Sequence, residues 1–113
     1  MSTDDRRRIE ILQGMLDLVI LKTLAHEPLH GYALVQRLRL VSGDRLQIPQ
    51  GSLYPGLHRL ENKGFLKGDW APTATGRDAK SYRVTPKGQR RLEEEIADWR
   101  ALSSTMALVL GKA

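Results

Sequence analysis

A chain of 113 residues with a net charge of +5 and no cysteine fits a single domain with a small core. The missing cysteines exclude disulfides, thiol redox sensing and cysteine-type zinc sites. No apolar run reaches the ~18 residues of a membrane span, and MSTDDRRRIE lacks a signal peptide's apolar centre, so a cytoplasmic protein with an anionic partner is expected.

Taken in order, residues 4–8 are polar and read as a fraying or flexible arm. Ile9, Ile11, Leu12, Met15, Leu16, Leu18, Val19, Ile20, Leu21 and Leu24 then follow closely. A helix over residues 13–26 would be apolar on more than one side, with Asp17 and Lys22 as polar relief. Such a helix needs cover from two directions, a core on one side and a partner subunit on the other.

His26 to His30 spells H-E-x-x-H, the zinc-protease signature. That motif works only when both histidines share one face of a helix, one turn apart. Pro28 between them and Gly31 after them break such a helix, so the segment reads as a turn between helices, with no metal. The next helix, residues 31–42, places Leu34, Val35, Leu38 and Val41 at core spacing and ends at Ser42-Gly43-Asp44. Leu46 and Ile48 alternate with polar neighbours, enough for a short strand before Pro49.

The stretch QGSLYPGLHRLENKG, residues 50–64, carries the most chemistry. As a helix it sets Leu53, Leu57 and Leu60 in one narrow apolar stripe. Its other side holds Ser52, Tyr54, Pro55, His58, Arg59 and Asn62, with Gln50 just ahead. Hydroxyls, an imidazole, a guanidinium and an amide can all meet phosphates or base edges, whereas a plain solvated face would be richer in Glu and Lys. Pro55 must sit in or near the first turn, where a missing N–H is tolerated, and Gly64 suits the left-handed residue after the helix.

The period then changes. Residues 65–70 and 80–85 read as two strands of a β-hairpin, joined by the long, mobile loop APTATGRDA. Lys67, Arg77, Lys80 and Arg83 make this hairpin basic. A two-stranded hairpin is marginal alone, so it must lean on the helices and leave its tip free. Three helices with the third exposed, followed by a basic hairpin, make up the winged helix-turn-helix plan. In that plan the third helix enters the major groove and the hairpin touches the flanking backbone.

The last segment opens with Thr85 as cap and Pro86 at the first helical position, and Gly88 reads as a mild weakness near its start. Leu92, Ile96, Trp99, Met106 and Val109 or Leu110 form one stripe, with Glu93-Glu94-Glu95 solvated. A helix of roughly 35–40 Å cannot hide that stripe on its own hairpin, so a second copy is expected to cover it. The expected dimer interface is Met15, Leu92, Ile96, Trp99, Leu102 and Met106.

The runs LQGMLDLVILKTL, PLHGYALVQRLR, QGSLYPGLHRLENKGFL and GRDAKSYRVTPKG together resemble the PadR family of bacterial transcriptional regulators, from Leu12 to Trp99. The block at 51–64, with Tyr82, Thr85 and Gly88, is the specific part, and the short tail resembles the subclass with one C-terminal helix. The resemblance implies a mainly α chain with a small β-hairpin: a winged helix over residues 1–85 (wing about 65–85) and a dimerisation helix over 86–113, packed as one unit. It implies a homodimeric, sequence-specific DNA-binding regulator, usually a repressor at a palindromic operator, with no cofactor. By position Ser52, Tyr54, Pro55 and His58 match the DNA-facing helix, and Arg77 and Lys80 the basic wing; Gln50 and Arg59 complete the expected DNA contacts. Asp78 stands where members often have Arg, and Ser81 where an aromatic is common. Members that resemble drug or phenolic-acid sensors hold flat aromatics between subunits, which would put a small aromatic ligand at Trp99. An enzyme is not expected, for the chain has no phosphate-binding glycine loop and no cysteine nucleophile. The rival is a winged helix used only for protein contacts, against which the basic wing and the Ser/Tyr/His/Arg face both count.

Overall fold

A computed structural model describes residues 9–10, 13–49 and 51–111; the polar arm at 4–8, Ile11, Leu12 and Gln50 lie outside the described residues. In chain order the elements are β1 (Ile9–Glu10), α1 (Gln13–Leu24), β2 (Leu29–His30), α2 (Gly31–Val41), β3 (Leu46–Gln47), α3 (Leu53–Asn62), β4 (Leu66–Pro72), β5 (Asp78–Val84) and α4 (Pro86–Val109). The mainly α winged-helix plan expected from the sequence is the one found.

Helix α1 is the hub. It touches α2, α3, α4 and β5, which is why its apolar residues run round it rather than along one stripe. Leu16, Ile20, Leu21 and Leu24 are buried there with Leu34 and Leu38 of α2, Leu57 and Leu60 of α3, Leu66 of β4, Tyr82 of β5 and Leu92 of α4. Much of the second-side cover expected from a partner subunit therefore comes from the chain's own α4. Met15 and Leu18 remain only partly covered.

Two corrections concern short elements. The segment after α1 is a turn, as expected, but Leu29 and His30 also pair with Tyr82 and Ser81, adding a third antiparallel strand in the order β2-β5-β4. Ile9 and Glu10 pair in parallel with Leu46 and Gln47, so the strand before Pro49 has a partner. Val41, expected in the core, is 68% exposed. It is the last residue of α2, and the chain turns away immediately through Gly43 (φ 64°) and Asp44 (φ 65°).

The hairpin is longer and its loop shorter than the sequence suggests. Pairing runs from Leu66↔Val84 to Pro72↔Asp78, leaving five residues, 73–77, at the tip. The Thr73 N–H donates to the Arg77 carbonyl at 2.7 Å and its hydroxyl to the same oxygen at 2.8 Å, closing the loop. Small residues such as Ala71 and Ala79 have weak strand preference alone, but cross-strand pairing overrides it.

Thr85 caps α4 as expected: its hydroxyl accepts the Gly88 N–H at 3.0 Å and donates to the Gly64 carbonyl at 2.7 Å. Gly88, read as a weakness, is a requirement. A Cβ there would lie 2.0 Å from the carbonyl oxygen of Phe65, so only glycine lets α4 start against the link between α3 and β4. The 24-residue α4 then runs about 36 Å, and beyond Ile96 it leaves the body of the molecule.

Candidate nucleic-acid interface

Helix α3 is held by its apolar stripe. Leu57 and Leu60 are fully buried and Leu53 half-buried. Gly56, also buried, brings the helix close to α1: a Cβ would lie 3.1 Å from Leu16 Cδ2 and 3.2 Å from Ile20 Cδ1. With that side locked, Tyr54, Pro55, His58 and Asn62 face solvent. Pro55 falls in the first turn, where the missing N–H has no helical acceptor to lose. Ser52 precedes the helix in a helical conformation and makes no side-chain cap bond, which leaves its hydroxyl to other partners. Tyr54 is 60% exposed, yet its ring is seated on Gly31, where a Cβ would come within 2.7 Å of the phenol oxygen. Its hydroxyl is thus presented on a framed side chain.

Arg59 does not share that face. Its guanidinium forms an ion pair with Asp17 of α1, 42 residues away, and ties α3 to the hub helix. Lys80 is also engaged. It lies on β5, as the strand over 80–85 implied, with Nζ 2.8 Å from Glu61 Oε1 of α3. Arg77 sits at the exposed wing tip. Arg83 lies 3.6 Å from Asp69 across the hairpin, a loose exposed pair of small consequence.

Between α3 and the wing is a hollow of about 740 Å³, bordered by Tyr32, Tyr54, Pro55, His58, Trp70 and Lys80 among others. Tyr32 and Trp70 were not foreseen as part of this surface. Trp70 is 69% exposed and pairs directly with Lys80, so both side chains stand on the same face of the hairpin. Strand alternation alone could have found it, since Leu66, Gly68 and Trp70 share a face.

The H-E-x-x-H histidines have other employment. His30 caps α2, its Nδ1 accepting the Ala33 N–H at 3.3 Å, while His26 is exposed in the preceding turn. Among the described residues no group of three or more His, Cys, Asp or Glu is placed to hold a metal.

A second surface lies on α1 and α4. Gly14, Met15, Leu18, Glu95, Asp98, Trp99 and Leu102 line a groove of about 530 Å³. Trp99, Leu102 and Met106 are 44%, 54% and 42% exposed and Ile96 is half-buried. Leu92, expected at the interface, is instead in the chain's own core at 2% exposure, because the first half of α4 packs on α1.

Comparison with known proteins matches residues 20–94 to the model described as "Transcriptional regulator PadR-like family". The transcriptional regulator Rv3488 of Mycobacterium tuberculosis is 37% identical over 102 residues, covering 90% of this chain and 89% of the relative. The crystal structure of a PadR family transcriptional regulator from Eggerthella lenta superposes with TM-score 0.73 at 34% identity, covering 87% of this chain and 83% of the other. A PadR-like transcriptional regulator from Bacillus cereus gives TM-score 0.73 at 29% identity over 90% of this chain and 97% of the other.

Proposed function

The chain belongs to the PadR-like family of transcriptional regulators, and on that premise we propose that it is a repressor binding a palindromic operator as a homodimer. Regulators of this family are DNA-binding proteins and not enzymes. The observation that carries the reading is the two-sidedness of α3. Leu57 and Leu60 are locked inside while Tyr54, Pro55 and His58 stand free beside a hairpin tipped by Arg77. A helix so framed can enter a major groove with its side chains in fixed positions, Ser52, Tyr54 and His58 supplying donors and acceptors for base edges or phosphates. Arg77 then reaches the flanking phosphates. Arg59 joins these contacts only by giving up Asp17.

The dimer is supported by the exposed stripe of Trp99, Leu102, Met106 and Val109, on a helix that outruns its own domain. The winged-helix body and the terminal helix α4 (Pro86–Val109) act as one unit, since α4 packs on α1. A two-fold dimer presents two α3 helices and so selects an operator with two-fold symmetry. Occupying such a site blocks transcription. The groove beside Trp99 suits a flat aromatic effector held between subunits, whose binding would alter the spacing of the two α3 helices. No helix among the described residues is long and apolar enough to cross a membrane.

An electrophoretic shift with DNA from upstream of the protein's own coding sequence, at stated salt and against random competitor, tests the reading. Retardation that survives excess competitor is expected. Equal competition by random DNA at all salt concentrations would contradict sequence-specific regulation.

A further inference from the structure

Lys80 crosses from the wing to α3. Its Nζ lies 2.8 Å from Glu61 Oε1 and 5.3 Å above the Tyr82 ring centre. The Lys80 and Glu61 side chains are only 24% and 25% exposed. Gly68 of β4 makes the room they occupy. A Cβ there would lie 2.3 Å from Lys80 Cε and 3.1 Å from Glu61 Oε2. The Lys80 hydrogen bond holds the Glu61 carboxyl below the ordinary carboxylate range against the opposing effect of burial, with the Gly68 N–H adding to it. The same bond holds the ammonium above its ordinary value, so both groups are charged at neutral pH.

The position of this pair along the wing matters. Strand β2 supports the hairpin only at Tyr82 and Ser81, and from Lys80 outward the ribbon has two strands. Two-stranded ribbons are marginal alone, and a wing free to swing must be ordered when it binds. A tie at residue 80 holds the ribbon where its third strand ends. A lysine already neutralised by a carboxylate is also a poor phosphate ligand, because meeting phosphate would leave Glu61 unpaired beside DNA.

We propose that Lys80 is a positioning residue: with Glu61 it forms a strut across Gly68 that fixes the angle of the wing against α3, and Arg77 at the tip, not Lys80, meets the DNA backbone. The proposal rests on the DNA-binding reading above. It differs in sign from the alternative in which Lys80 grips phosphate and Glu61 merely restrains it.

The test uses the full chain and DNA that the wild type retards, with affinity followed by fluorescence anisotropy well below the unfolding temperature. Glu61→Met removes a negative charge from the DNA-facing helix itself, which on charge alone strengthens binding. The strut predicts the reverse, a loss of about three- to tenfold, the size expected of a charge-assisted bond discounted for partial exposure. Gly68→Ala alters no charge; its methyl displaces only side-chain ends, those of Lys80 and Glu61, so the fold survives while the strut is lost. It should weaken binding over the same range, with the slope of log K against log salt unchanged in both variants. Tighter binding by Glu61→Met with a steeper salt slope would overturn the proposal and make Lys80 a phosphate contact. Wild-type affinity in both variants would overturn it equally. If the wild-type protein binds no DNA, the reading beneath fails, and the strut is then judged by hydrogen exchange at residues 67–83 of the free protein. Faster exchange in both variants would uphold it, and unchanged exchange would refute it.

Discussion

Replacing Gly88 by alanine ought to stabilise a helix, and here it should do the opposite. In an unobstructed helix interior the change is worth about 1 kcal/mol in favour of alanine. The new Cβ, however, would stand 2.0 Å from the Phe65 carbonyl oxygen, a backbone atom that cannot swing aside as a side chain can. Relief requires α4 and the chain at Phe65 to part by about 1.5 Å to reach van der Waals contact. That displacement loosens the Thr85 N–H to Phe65 carbonyl bond of 3.1 Å and the cap in which Gly88 N–H meets Thr85 Oγ1 at 3.0 Å. Overpacking of this kind costs roughly 1–3 kcal/mol and a weakened cap about 1 kcal/mol more. Set against the propensity gain, Gly88→Ala should lose about 1–3 kcal/mol. Urea unfolding followed by far-UV circular dichroism, at matched protein concentration because dimerisation would contribute, would show a lower midpoint with little change in slope. A midpoint equal to or above wild type would mean that α4 does not start against Phe65 as described.

Charge placed in the terminal stripe should separate the subunits: Leu102→Glu with Met106→Glu is expected to give the mass of one chain in light scattering at micromolar concentration, where the wild type should give that of two. Asp17→Asn should lower stability by up to about 1 kcal/mol, since the Arg59 pair is partly exposed, and, because it releases the Arg59 guanidinium, should tighten binding to operator and random DNA together in an electrophoretic shift. Glu61 makes stability pH-dependent with a defined sign. Its folded-state pKa is lowered, so its contribution is present above the ordinary carboxylate range and disappears as pH falls through the folded value. The melting-temperature gap between wild type and Glu61→Met should accordingly be present at neutral pH and close in acid.

Legibility in the sequence tracked the range over which each residue finds its partner. The four long helices and the hairpin declared themselves through apolar spacing, Thr85-Pro86 and Gly64, all of which act within a few neighbouring positions. Strands β1 and β2, two residues each, are too short to alternate and exist only because β3 and β5 lie alongside. Arg59 looked like part of the polar face because it follows His58 directly; Asp17, 42 residues earlier, draws it to the other side. Lys80 looked like a free wing cation for the same reason, its acceptor Glu61 being 19 residues back. Gly88 was misjudged because a glycine in a helix shows its propensity in the sequence and its neighbours only in space. Leu92 belonged to the right stripe, but where the core ends and the uncovered stretch begins depends on how far α1 reaches along α4.

The division of labour between α3 and the wing is tested most directly by the affinities of Tyr54→Ala and Arg77→Ala for operator and random DNA across a range of salt. Tyr54 is neutral and held on Gly31, so its loss should reduce discrimination by ~1–3 kcal/mol per base contact and leave the salt slope alone. Arg77 is a charged side chain at an exposed loop tip, so its loss should weaken both DNAs about equally and flatten the slope by about one per phosphate contact, or about two per dimer. Equal losses on operator and random DNA in both variants would contradict the account, making α3 a phosphate clamp and leaving sequence to be read through the shape of the duplex.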